Sequence, residues 1–257
     1  MPGAWRTPAV GVKVLRLLDA YHFSEEVLFD NRTAAWTKLA LQGPHALRLL
    51  EALGAPVALL WPLDHVVWTL AGHPVRLIRC SLTGERGYLL LTPTAHAEFL
   101  WRRIVEVGAM HGLRPAGYEA LDLLRLEAGI PWYGRDMDET TLQPETGLAE
   151  AVSDNKGCYT GQEIIARVRT QGQLQRRLAG LRIEGATVPL AGDRITLDNH
   201  DVGTITSAAF SPTLKEPIAL AYLHRSAQTA NLTVEIHHRA GALRGRVTPL
   251  PFVPVQR

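Results

Sequence analysis

Past Gln175 the chain breaks into short β-rich runs, Leu178–Ile183, Arg194–Leu197, Val202–Ser207, Ile218–Tyr222 and Leu232–His237, separated by clusters of Gly, Pro, Asn and Asp. That spacing predicts a small antiparallel barrel. It also places a domain boundary near residue 174, with an α+β domain over 1–173 and the barrel over 174–257. His237-His238 invites a metal reading, but successive strand residues point to opposite faces, and no metal site is expected there.

Upstream the pattern mixes helices and strands. Residues 1–13 lack periodicity and read as an irregular lead-in, with a short helix expected over Val14–Tyr21. Trp36–Leu41 reads as a strand broken by Gln42-Gly43-Pro44; a helix follows, with Leu47, Leu49, Leu50 and Leu53 as its buried stripe and Gly54 as its end. Val66–Leu70, Val75–Ser81 and Tyr88–Leu91 read as strands, the last two joined by Thr83-Gly84-Glu85-Arg86-Gly87, so that Glu85 stands at a hairpin tip. Plain solvation is the ordinary fate of such a carboxylate. A helix over Ala95–Met110 stops at His111-Gly112, and the next, Tyr118–Ala128, carries so many leucines that it should be largely buried. Within it Asp122, Arg125 and Glu127 need partners, since an unpaired buried charge is costly, and Asp122 with Arg125 at i,i+3 is one pairing. Pro131-Trp132-Tyr133-Gly134 is a turn with two aromatics at its tip, suited to a flat heteroaromatic ligand or to a place in the core.

The stretch Lys156 to Arg169, K-G-C-Y-T-G-Q-E-I-I-A-R-V-R, concentrates unusual chemistry. Thr160 and Glu163 have capping-box spacing, so a helix should start here; Ile164, Ile165 and Val168 share its apolar face and Gly172 ends it. Cys158, two residues after Lys156 and just before that start, is a candidate reactive thiol, because a nearby ammonium and a helix N-terminus both favour the thiolate. The alternative is a small buried hydrophobe in a tight turn.

Composition narrows the classes. With 257 residues, 46% of them hydrophobic, the chain can bury a sizeable core, and a net charge of +2 gives no general argument for nucleic acid. Two cysteines, Cys80 and Cys158, cannot make a four-thiolate metal site and do not suggest a disulfide scaffold, which makes a reducing, cytoplasmic setting the default. No apolar run approaches the roughly 20 residues that cross a bilayer. There is no glycine-rich phosphate loop, HExxH or GxSxG motif.

The K-G-C-Y-T-G-Q-E motif followed by A-R resembles the signature of the YgfZ-type folate-binding iron–sulfur maturation factors, a branch of the aminomethyltransferase (glycine cleavage T-protein) superfamily. T-G-E-R-G-Y at residues 83–88, R-L-E-A-G-I-P-W-Y-G-R-D-M at 125–137, the acidic connection ending at Pro144, and the barrel segments at 178–181, 202–207 and 250–252 are similar to elements of the same superfamily. The resemblance implies an aminomethyltransferase-like folate-binding α+β domain, N-terminally shortened, followed by the barrel. It implies tetrahydrofolate as cofactor, with Glu85 accepting from the pterin ring, Arg125 lining the site and Tyr133 contributing. It further implies a reactive Cys158 beside Lys156, and iron–sulfur client or assembly proteins as partners. The basic cluster Arg167, Arg169, Arg176 and Arg177 would attract a polyglutamyl tail. Two other readings stand beside this one: a tetrahydrofolate-dependent aminomethyltransferase of the glycine cleavage type, and a non-catalytic folate-sensing module. The family's first segment, which carries the aspartate placed near folate N5 in the aminomethyltransferases, has no counterpart before about Val14. Met1 is therefore expected not to be the start of the functional protein.

Overall fold

The computed structural model describes residues 7–24, 26–57, 60–153, 156–159, 161–171 and 174–254. By packing, the chain forms two compact units, residues 1–121 and 122–255. This division follows contacts, whereas the proposed domain boundary near 174 follows the onset of the barrel strands.

The first unit opens with helix α1 (Thr7–Ala20). It starts earlier than the sequence suggests, because Pro8 falls in its first turn, where a missing N–H costs nothing. Strand β1 (Trp36–Gln42) leads into helix α2 (Ala46–Ala52). Strands β2 (His65–Leu70), β3 (His73–Arg79) and β4 (Gly87–Pro93) follow, and the four strands form an antiparallel sheet in the order β1-β4-β3-β2. Alternation decides which face is covered: Trp68, Leu70, Val75 and Leu77 are buried, while Val67 and Arg76 are exposed. Helix α2 and helix α3 (Ala97–Gly108) complete this core with Leu49, Leu50, Leu100 and Ile104. Gly112, at φ +74°, closes the turn after α3 in the left-handed conformation that glycine adopts most readily.

Helix α4 (Tyr118–Glu127) departs from the expectation of general burial. Tyr118 and Leu124 are exposed, and only Arg125, Leu126 and Glu127 in its last turn are buried. Helix α5 (Gln162–Gln171) lies where the sequence places a helix; the Thr160 capping role and the Gly172 stop lie outside the described residues.

The second unit contains the expected barrel. Strands β5 (Arg176–Ile183), β6 (Arg194–Leu197), β7 (His200–Ser211), β8 (Glu216–His224), β9 (Thr233–His238) and β10 (Gly241–Thr248) close in the order β10-β5-β8-β7-β6-β9. Strand β10 was not among the runs read from the sequence, since G-A-L-R-G-R-V-T alternates glycine and arginine instead of large apolar residues. Leu181, Ile195, Ile205, Ala221 and Ile236 fill the interior. A second cluster joins Leu126 to Leu178, Ile218, Leu220, Tyr222 and Phe252. Gly180 is required here, because a Cβ would lie 2.8 Å from the Phe252 ring and 2.9 Å from Leu250. Phe252 and Val253 donate their backbone N–H groups to the Glu127 carbonyl at 3.0 and 3.1 Å, fastening the end of α4 within this unit.

Candidate functional site

In the first unit, Glu85 sits in the irregular turn between β3 and β4, half-buried. Backbone bonds close the turn where the strands end: Cys80 N–H to Gly87 O and Gly43 N–H to Arg86 O, both at 3.0 Å. The Glu85 carboxylate lies beside Gly43 and makes no hydrogen bond or ion pair with any described residue. Two acceptor oxygens are thus held on a folded turn with their capacity unused. At the end of β3, burial pushes the Cys80 thiol up from its ordinary pKa, against a smaller opposing effect of Lys38.

The second unit places Arg125 differently. Its guanidinium is fully buried and all three of its nitrogens donate hydrogen bonds. Nε donates to Asp122 Oδ1 at 2.8 Å, Nη1 to Asp136 Oδ2 at 2.5 Å and to Ile130 O at 3.2 Å, and Nη2 to Ser207 Oγ at 2.8 Å, while Nη2 also lies 2.7 Å from Asp122 Oδ1 in the ion pair. The Trp132 ring stacks 4.8 Å from its carbon centre. The Asp122–Arg125 pair is therefore present, within a larger network that the sequence did not reveal. Asp136 is its hub, accepting from Arg125 and the Trp132 N–H on one oxygen and from Thr206 and Ser207, each at 2.6 Å, on the other. Glu127 is buried as well, accepting from Ser211 at 2.5 Å and Thr213 at 3.1 Å.

Tyr133 follows Trp132 on the turn. Its ring is partly exposed and its hydroxyl donates to Glu139, while Gly134 N–H bonds to Met137 O at 2.7 Å. Beyond it, a cavity of about 640 Å³ within this unit is lined by Asp136, Asp138, Glu145, Arg176, Tyr222 and His224, among others. Arg176 donates to both oxygens of Glu145 at 3.1 Å and stacks 5.0 Å over the Tyr222 ring. Burial first, and then the Glu145 charge, push the Tyr222 phenol up to about 12. Hydrogen bonds from Thr140 hold Asp138 below the usual carboxylate range.

Cys158 is exposed, four residues before the first residue of α5. The Lys156 ammonium lies 4.6 Å over the Tyr159 ring, so a cation–π contact engages it. Among the described residues no group of three or more His, Cys, Asp or Glu side chains could hold a metal ion, and no helix is long and apolar enough to cross a membrane.

Residues 7–156 match the GCVT N-terminal domain, and residues 176–254 match the glycine cleavage T-protein C-terminal barrel domain. The chain is similar to a protein named aminomethyltransferase from Halothermothrix orenii, at 34% identity over 87% of this chain and 62% of that protein. Another of that name, from Caldanaerobacter subterraneus subsp. tengcongensis, is 36% identical over 88% of this chain and 61% of that protein. Among solved structures, glycine cleavage system aminomethyltransferase T from Bartonella henselae superposes with a TM-score of 0.74 at 26% identity, covering 85% of this chain and 60% of that one. The chain thus spans less than two thirds of the length of these relatives. Their names overturn the iron–sulfur maturation reading drawn from K-G-C-Y-T-G-Q-E, and with it the iron–sulfur client and assembly proteins as partners. That motif is one short segment, whereas the likeness to the aminomethyltransferases extends over most of the chain.

Proposed function

Starting from a chain that belongs to the glycine cleavage T-protein family, we propose that it binds tetrahydrofolate and takes part in aminomethyl transfer to it. The observation that carries this reading is the Glu85 carboxylate, folded into the T-G-E-R-G turn with no partner among the described residues. The 2-amino and ring N–H groups of a pterin offer two adjacent donors, and a carboxylate offers two acceptors with matching geometry. Tyr133, at the exposed tip of its turn, supplies a flat surface of the kind a heteroaromatic ligand uses. With all three guanidinium nitrogens already engaged inside the protein, Arg125 acts as a positioning residue that fixes the turn carrying Trp132 and Tyr133. Cys158 and Lys156 are given no step in this reaction. Tetrahydrofolate, when bound, would supply the nitrogens that take up the carbon of an aminomethyl group carried on a protein-bound lipoyl arm as a methylene bridge, the lipoyl sulfur leaving as a thiol and the amino nitrogen as ammonia.

Isothermal titration with tetrahydrofolate tests the reading. Glu85→Gln should weaken binding by about tenfold or more, since a charge-assisted bond contributes about 1.5–3 kcal/mol. Unchanged affinity in that variant would remove Glu85 from the site. Methylenetetrahydrofolate formation from an aminomethyl-loaded lipoyl carrier protein separates an enzyme from a folate-sensing module, which would bind the ligand and give no product.

A further inference from the structure

Gln42 is the last residue of β1, directly across the ladder from Gly87. Its side chain does not point along the strand but lies over β4 and reaches the chain beyond it. Oε1 accepts the Leu82 N–H at 2.8 Å, and Nε2 donates to Cys80 O at 3.2 Å, with Tyr88 O at 3.5 Å. One primary amide thus satisfies a donor and an acceptor at the entrance to the turn that carries Glu85. The crossing is open only because residue 87 is glycine: a Cβ there would fall 2.1 Å from Oε1 and 2.5 Å from Cδ of Gln42.

Little else holds the turn. The β3–β4 register ends at Arg79 opposite Tyr88, and the buried Thr83 hydroxyl has no hydrogen-bond partner. The neighbouring residue completes the arrangement, since Gly43 N–H holds Arg86 O and a side chain at residue 43 would meet the Glu85 carboxylate, 3.7 Å from where its Cβ would stand. We infer that Gln42 is the positioning residue for Glu85, setting the turn from below through Leu82 and Cys80, while Gly87 keeps the space that its amide needs. The inference rests on the reading of Glu85 as the residue that meets the pterin.

Two variants of the full chain test it, both leaving Glu85 in place. Gln42→Leu removes the amide, and Gly87→Ala displaces it without touching Gln42, so the second keeps the test available if the first fails to fold. The Leu82 amide should exchange with deuterium at least about tenfold faster in each, because its acceptor is gone. Tetrahydrofolate affinity should fall by about tenfold in the Glu85 background and by no further factor when Glu85→Gln is already present, a non-additivity that a general loss of stability would not produce. Unchanged Leu82 exchange, or equal losses in both backgrounds, overturns the positioning role. If Glu85→Gln weakens binding and neither new variant does, only this inference fails. If Glu85→Gln binds as tightly as the wild type, or the wild type does not bind tetrahydrofolate, the reading of Glu85 fails first and takes this inference with it.

Discussion

Arg125 Nη1 and Asp136 Oδ2 meet at 2.5 Å with neither side chain exposed to solvent. Eleven residues separate them in the chain, and Ser207, 82 residues from Arg125, bonds to both. The pair therefore couples the last turn of α4 to the aromatic turn and to β7 of the barrel, all within one packed unit.

Asp136→Asn should destabilise the protein by about 3 kcal/mol, near the lower end of what breaking a buried pair costs, because Asp122 still compensates part of the guanidinium charge. Chemical denaturation should show a lower midpoint with an unchanged slope. A loss below about 1 kcal/mol would mean that Asp136 is held in place by the network without supporting it.

Tyr222 predicts a loss of stability at alkaline pH. Its phenol is raised from 10 to about 12, so between these values the folded chain keeps a proton that the unfolded chain has released. The stabilisation is complete below pH 10 and is lost as pH rises through about 12; solvent screening of this cavity-lining group lowers its full linkage value, leaving up to about 2 kcal/mol. Tyr222→Phe should remove this part of the pH dependence while changing neutral stability little, as no hydrogen bond of normal geometry holds the occluded hydroxyl. Unfolding midpoints of the two proteins should coincide near neutral pH and separate across that interval, the wild type falling below Tyr222→Phe, if the assignment is right, and stay parallel if it is wrong.

The two cysteines should separate under alkylation. Cys158 is exposed, whereas Cys80 is half-buried with its thiol pushed up by burial. Iodoacetamide at neutral pH should therefore label Cys158 well before Cys80. Peptide mass mapping over a time course checks the order, and equal rates would show that the β3–β4 end opens readily.

Periodicity alone yielded the strands of the first unit, helices α2 and α3 and five of the six barrel strands, because each buries one face against a core and so repeats its apolar residues at a fixed interval. The T-G-E-R-G turn and the R-L-E-A-G element were legible as motifs, and through them the superfamily. Strand β10 was not, since its place is fixed by pairing with β5 and β9 and not by its own apolar content. Nor was the state of Arg125, whose partners Asp136 and Ser207 come from distant segments, nor the role of Gln42, whose amide acts only because β4 brings a glycine beneath it. Sequence spacing fixes which residues share a face of one element, and that was enough for most of the elements. Whether a charged group is spent inside the protein or left for a ligand depends on which distant chain segments reach it, and only the tertiary structure decided that for Arg125, which is fully engaged, and for Glu85, which is not.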